Sequence, residues 1–142
     1  MTMKTNWRLA ECIGIVAIMA GGIGFWGGVQ AQSMAVKVKE VYRNPLTGIE
    51  GKEIRVLQLE FGPGVISPPH RHPGDTFVYV VDGELVTEID DGTAFSAKAG
   101  EVFHEPPMSL HKSTRNNGTE PARAIAIMVI DADQPSTVAP QH

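Results

Sequence analysis

Residues 64–83 read Gly64-Val65-Ile66-Ser67-Pro68-Pro69-His70-Arg71-His72-Pro73-Gly74-Asp75-Thr76-Phe77-Val78-Tyr79-Val80-Val81-Asp82-Gly83. Two imidazoles stand two positions apart between glycine-marked turns. Side chains alternate faces along a β-strand, so a strand here points His70 and His72 the same way. Two neutral imidazoles aimed into one cavity can hold a divalent first-row metal when further ligands reach them from elsewhere.

Outward from this stretch the chain reads as strands. Residues 36–42 and 54–61 alternate apolar with polar or charged side chains, residues 76–81 are β-branched and aromatic, and residues 84–90 alternate again. Val102-Phe103 and residues 124–130 complete the apolar set. Asp82-Gly83 and Asp91-Gly92 are dipeptides that tight hairpins favour, because both central residues tolerate positive φ. Pro68-Pro69 and Pro106-Pro107 oppose helix and mark loops at strand ends. No segment carries a helical period. About seven to eight short strands point to an antiparallel sandwich or small barrel.

The N-terminus reads differently. Lys4 and Arg8 precede an apolar run over residues 13–25, and Val29-Gln30-Ala31 supplies the small residues a signal peptidase recognises. Residues 1–31 are therefore expected to be a secretion signal, placing the remainder in the periplasm or outside the cell. The glycine content of the run and its cleavage pattern favour this over a retained membrane anchor. Cys12 is the single cysteine and would leave with the signal, excluding disulfides and thiolate ligands from the mature chain. Removing Lys4, Arg8 and Glu11 from 12 basic and 16 acidic side chains takes the net charge from −4 to −5. No basic patch stands out, so nucleic acid is not an expected partner. One domain is expected over 32–131, and the Pro-, Gln- and Ser-bearing tail, 132–142, is expected to fray.

With these motifs in place, the chain resembles a cupin over nearly its whole mature length. The family's first motif runs from a glycine through five residues to His-x-His, then a glutamate, six residues and a closing glycine. Gly64, His70, His72 and Gly83 meet that spacing, with Thr76 at the glutamate position. The second motif is similar to Lys98-Ala99-Gly100, with His111 eleven positions after Gly100 and Asn116 beyond it. The resemblance implies an all-β, antiparallel jelly-roll barrel with one divalent metal at its mouth. His70, His72 and His111 match three of the family's four ligands.

Three readings of the fourth position stay open. Water could complete a three-histidine site; Glu105 could supply the missing carboxylate; or Asp75 could swing in from the opposite face. His104 has the parity of the outer surface, and Arg71 points away from the histidines flanking it. Phe61, Phe77, Tyr79, Phe95, Phe103 and Met108 are candidates for a hydrophobic pocket, core or dimer contact. The resemblance implies an Fe2+-type dioxygenase acting on a small organic substrate, with Mn2+, Ni2+ or Zn2+ as other metals and isomerisation as another chemistry. In that scheme Glu105 takes a substrate proton if it is not a ligand, and Thr76 hydrogen-bonds a water at the metal. A non-catalytic module binding metal or a small ligand is the alternative. A homodimer, with the first strand extending the partner's sheet, is also expected.

Overall fold

The computed structural model describes residues 35–90 and 92–140. The expected signal, 1–31, together with Asp91 and His142, lies outside the described residues. Among the described residues eight strands follow in order: β1 (Lys37–Pro45), β2 (Lys52–Phe61), β3 (Asp75–Asp82), β4 (Glu84–Ile89), β5 (Thr93–Lys98), β6 (Val102–Glu105), β7 (His111–Arg115) and β8 (Ala122–Asp131). They form a five-stranded sheet ordered β1-β2-β8-β3-β6 and a three-stranded sheet ordered β5-β4-β7. All the pairings are antiparallel. This is the all-β jelly-roll barrel that the two motifs imply.

Apolar segments account for six of the strands; β5 and β7 lie outside them. β7 reads His-Lys-Ser-Thr-Arg and has no aliphatic side chain, its buried positions being His111 and Thr114. The two Asp-Gly steps also part company. Ile89 pairs with Thr93, so Gly92, at φ +92°, belongs to a hairpin loop between β4 and β5. Asp82-Gly83 is no hairpin, because β3 and β4 lie in different sheets. Gly83, at φ +79°, turns the chain from one sheet into the other, and a Cβ there would sit 2.9 Å from Ala122 Cβ.

The core fills the space between the sheets, with Leu57, Phe61, Val78, Leu85, Phe103 and Met128 prominent in it. Leu85 and Met128 have no exposure, and each such burial contributes roughly 1.5–3 kcal/mol. On β8 the inward side chains at 122, 124 and 126 are all alanine, which leaves room inside the barrel. Of the hydrophobic candidates, Phe61 and Phe103 face inward, whereas Phe77, Tyr79, Phe95 and Met108 are exposed. β1 is the exposed edge of the larger sheet along its full length.

Over its described part the tail is hydrogen-bonded to the rest of the chain. Val138 exchanges two backbone hydrogen bonds with Arg71, at 2.9 and 3.0 Å, and Ala132 N–H donates to Gly51 O at 2.9 Å. Buried arginine and histidine side chains supply anchors that composition does not reveal.

Candidate metal centre

The loop from β2 to β3 carries His70 and His72. It does not form a continuous strand there; His70 and Arg71 make isolated bridges, to His111 and Val138 respectively. The backbone is nonetheless extended enough to keep the two imidazoles on one side. His70 N–H donates to His111 O at 3.0 Å and His111 N–H returns a bond to His70 O at 2.9 Å. That exchange draws the second-motif histidine to the first motif. The three ring centroids lie 4.9, 5.2 and 5.1 Å apart, and one ring nitrogen from each falls within 4.8 Å of the others.

Hydrogen bonds orient two of these rings. His70 Nδ1 lies 2.8 Å from Pro68 O, and His72 Nδ1 lies 2.6 Å from Ser136 O. A carbonyl oxygen only accepts, so in each neutral ring Nδ1 carries the proton and Nε2 presents the lone pair. His111 has no exposure, and its Nδ1 is buried without a hydrogen-bond partner among the described residues. Glu105 Oε1 lies 2.9 Å from that nitrogen, close enough for charge attraction but out of line for a hydrogen bond. Glu105 Oε2 lies 3.4 Å from His72 Nε2.

Glu105 reaches this position through strand register. It stands on β6 directly opposite Thr76 on β3, and both are buried. Directly opposed residues have Cβ atoms about 4.5–5.5 Å apart. A carboxylate at 105 therefore enters the space that one at 76 would fill. The Thr76 hydroxyl turns instead toward Gly74 O, at 3.5 Å. Asp75 is outside, where its carboxylate accepts from His104 Nε2 at 2.8 Å, with His104 stacked on Phe77. Arg71 donates to Met108 O.

The electrostatics suit a cation. Among the described residues, the charge contacts of Glu105 are with His72 and His111, and a buried carboxylate beside neutral imidazoles is costly without a positive partner. Two oriented Nε2 lone pairs, an orphaned buried imidazole nitrogen and a carboxylate are a donor set that fits a divalent first-row metal. Burial pushes His72 below the ordinary 6.5, against the opposing pull of the Glu105 carboxylate. A neutral His72 is the form a metal needs. Above about pH 6.5, His72 is neutral whether the chain is folded or not. Below it, the unfolded chain takes up a proton that the folded site resists, so stability falls with pH toward the lowered value. Melting of metal-free protein between about pH 8 and about pH 5 is expected to show that fall, and His72→Gln to flatten it. Identical slopes in the two proteins would remove this coupling.

A cavity of about 480 Å³ opens on the histidines. Besides His70, His72 and Glu105, its walls are mainly apolar, with Leu57, Phe61, Val78, Leu85, Phe103 and Met128 among them, and no lysine or arginine among the described residues lines it. The orienting carbonyls of Pro68 and Ser136 leave no sequence signal, because any residue type could supply them.

Residues 57–128 match the cupin domain family. Over 86 residues, 57% of this chain, it is 30% identical to a germin-like protein, subfamily 2 member 4, of Arabidopsis thaliana. The aligned part is 39% of that relative, so the chain spans well under half its length. A Klebsiella pneumoniae protein with a double-stranded β-helix domain superposes with a TM-score of 0.60 at 20% identity, covering 74% of this chain and 85% of that one. An oxalate oxidase solved with the substrate analogue glycolate gives a TM-score of 0.59 at 25% identity, covering 76% of this chain and 56% of that one.

Proposed function

The chain belongs to the cupin domain family, and on that premise we propose that it is an exported, metal-dependent enzyme of dioxygenase type acting on a small, mainly apolar organic substrate. The observation that carries this reading is the Glu105 carboxylate, 2.9 Å from His111 and 3.4 Å from His72. It completes three histidines and one carboxylate although position 76 is threonine. The similarity to an oxalate oxidase solved with glycolate supports an oxidative reaction on a small organic molecule. The N-terminal pattern of basic start, apolar run and small residues supports export.

When bound, the metal, Fe2+ in this reading, supplies Lewis acidity and a route for electrons to dioxygen. The chain's own residues do the rest. His70 and His72 are held with Nε2 inward by Pro68 O and Ser136 O. Glu105 balances charge at the site and, when not engaged as a ligand, accepts a proton from an acidic C–H or O–H of the substrate. The apolar walls exclude water and receive the body of the substrate. A dianion such as oxalate would find no lysine or arginine among the lining residues, and so would bury charge unpaired away from the metal.

Metal content of the mature chain, 32–142, tests the proposal, with His111→Ala as control. About one metal ion per chain is expected, with loss in the control. Oxygen uptake with pentane-2,4-dione is expected to exceed that with oxalate. Thr76 at the family's glutamate position favours a second reading, a non-catalytic binder. Such a binder gains thermal stability from metal and consumes no oxygen. A chain that stays empty after incubation with Fe2+, Mn2+, Ni2+ and Zn2+ in turn sinks the enzyme reading and leaves a metal-free binder of small ligands.

A further inference from the structure

Beyond β8 the chain returns across the barrel and touches the metal centre directly. Ser136 O accepts from His72 Nδ1 at 2.6 Å, and Thr137 lines the cavity. The next residue, Val138, is bridged to Arg71. What places Ser136 is Arg55, a buried arginine on the inward face of β2. Its guanidinium donates to Gln134 O at 2.7 Å and to Ser136 Oγ at 2.9 Å. Its Nε donates to Glu53 at 2.5 Å, and Glu53 is also held by Arg43. Arg43 in turn donates to Ala132 O at 3.1 Å.

We propose that residues 132–138 are a clasp belonging to the metal centre, and that Arg55 and the Ser136 carbonyl are positioning residues acting through His72. A buried arginine is expensive unless its donors are satisfied. Here the guanidinium is satisfied by the clasp and by Glu53, so burial of the arginine and placement of the clasp depend on each other. The Ser136 carbonyl then holds His72 with its proton on Nδ1. Without the clasp that proton can sit on either nitrogen, and the ring is free to turn. Hydrogen-bonding partners of this kind commonly account for 10–100-fold in metal affinity. The inference rests on the metal reading for its affinity consequence, but not for the tautomer of His72.

The test separates the two. Long-range 15N–1H correlation spectra of metal-free protein are expected to show His72 protonated at Nδ1. Ending the chain after Asp131 is expected to convert that signal to a mixture of tautomers and to weaken Zn2+ binding about 10–100-fold. Because truncation could also disturb folding, the full-length Glu53→Gln/Arg55→Gln variant is run beside it, which removes the anchor without leaving a buried charge unpaired. It is expected to show the same tautomer mixing and a loss in the same direction. Gln134→Ala, which keeps the backbone carbonyl that Arg55 uses, is expected to behave as the unmodified protein. A single Nδ1–H tautomer with unchanged Zn2+ affinity in folded versions of both variants overturns the proposal. Tautomer mixing in a protein that never binds Zn2+ leaves the clasp standing and removes the metal reading.

Discussion

Replacing Glu105 by alanine is expected to weaken Zn2+ or Mn2+ binding by at least ~100-fold, since loss of a group that only orients a ligand already costs 10–100-fold. Returning the carboxylate to the other strand, as Thr76→Glu/Glu105→Thr, is expected to recover most of that loss. The ground is the β3–β6 register, in which Thr76 and Glu105 are direct cross-strand partners. The metal-free protein should move oppositely. Glu105 is 4% exposed, and its charge contacts among the described residues are with two imidazoles. Removing a buried charge that lacks a full counter-charge relieves desolvation, so Glu105→Ala is expected to melt higher than the parent without metal and lower with it. Competition titration and thermal unfolding read both quantities. Undiminished affinity in Glu105→Ala would exclude the carboxylate as a ligand and leave three histidines with water.

Gly74→Ala carries the largest expected loss of stability. A Cβ at this position would lie 2.1 Å from Val129 O, 2.8 Å from Ile130 Cα and 2.9 Å from Val129 C. These are backbone atoms of β8, paired on both sides, so no side-chain rotation relieves the overlap. β3 would have to separate from β8 where it begins, two residues from His72. The expected cost is about 3 kcal/mol or more, which for a domain of this size lowers the melting temperature by roughly 10 °C or more. Gly62→Ala is the control, its new Cβ meeting only Val65 Cγ2 at 3.4 Å. A Gly74→Ala protein melting with the parent would mean that the β3–β8 junction is far softer than its pairing implies.

The histidine spacing and the alternation of β1 and β4 were legible because each is a local pattern with a local cause. β2 shows where local reading fails. Its apolar residues change phase, from Ile54 and Val56 to Leu57, Leu59 and Phe61. The register with β8 continues without a bulge, so Glu53 and Arg55 turn inward and Ile54 and Val56 face the other way. Alternation alone favours burying Ile54 and Val56. The inward charges are tolerated because Arg43, Gln134 and Ser136 satisfy them, and two of those partners lie about eighty residues away. β7 failed for a related reason: it is buried through a histidine and a threonine, and hydrophobicity does not mark a strand whose inner face is a polar site.

By itself the sequence determined the barrel family and the three histidines, since these depend on residue identity and spacing. The tertiary structure decided which carboxylate stands at the histidines, what orients His72, and where the chain beyond β8 is hydrogen-bonded. Each of those depends on register between strands or on a backbone carbonyl. Register follows from packing across the whole sheet, and a carbonyl is the same whichever side chain it carries.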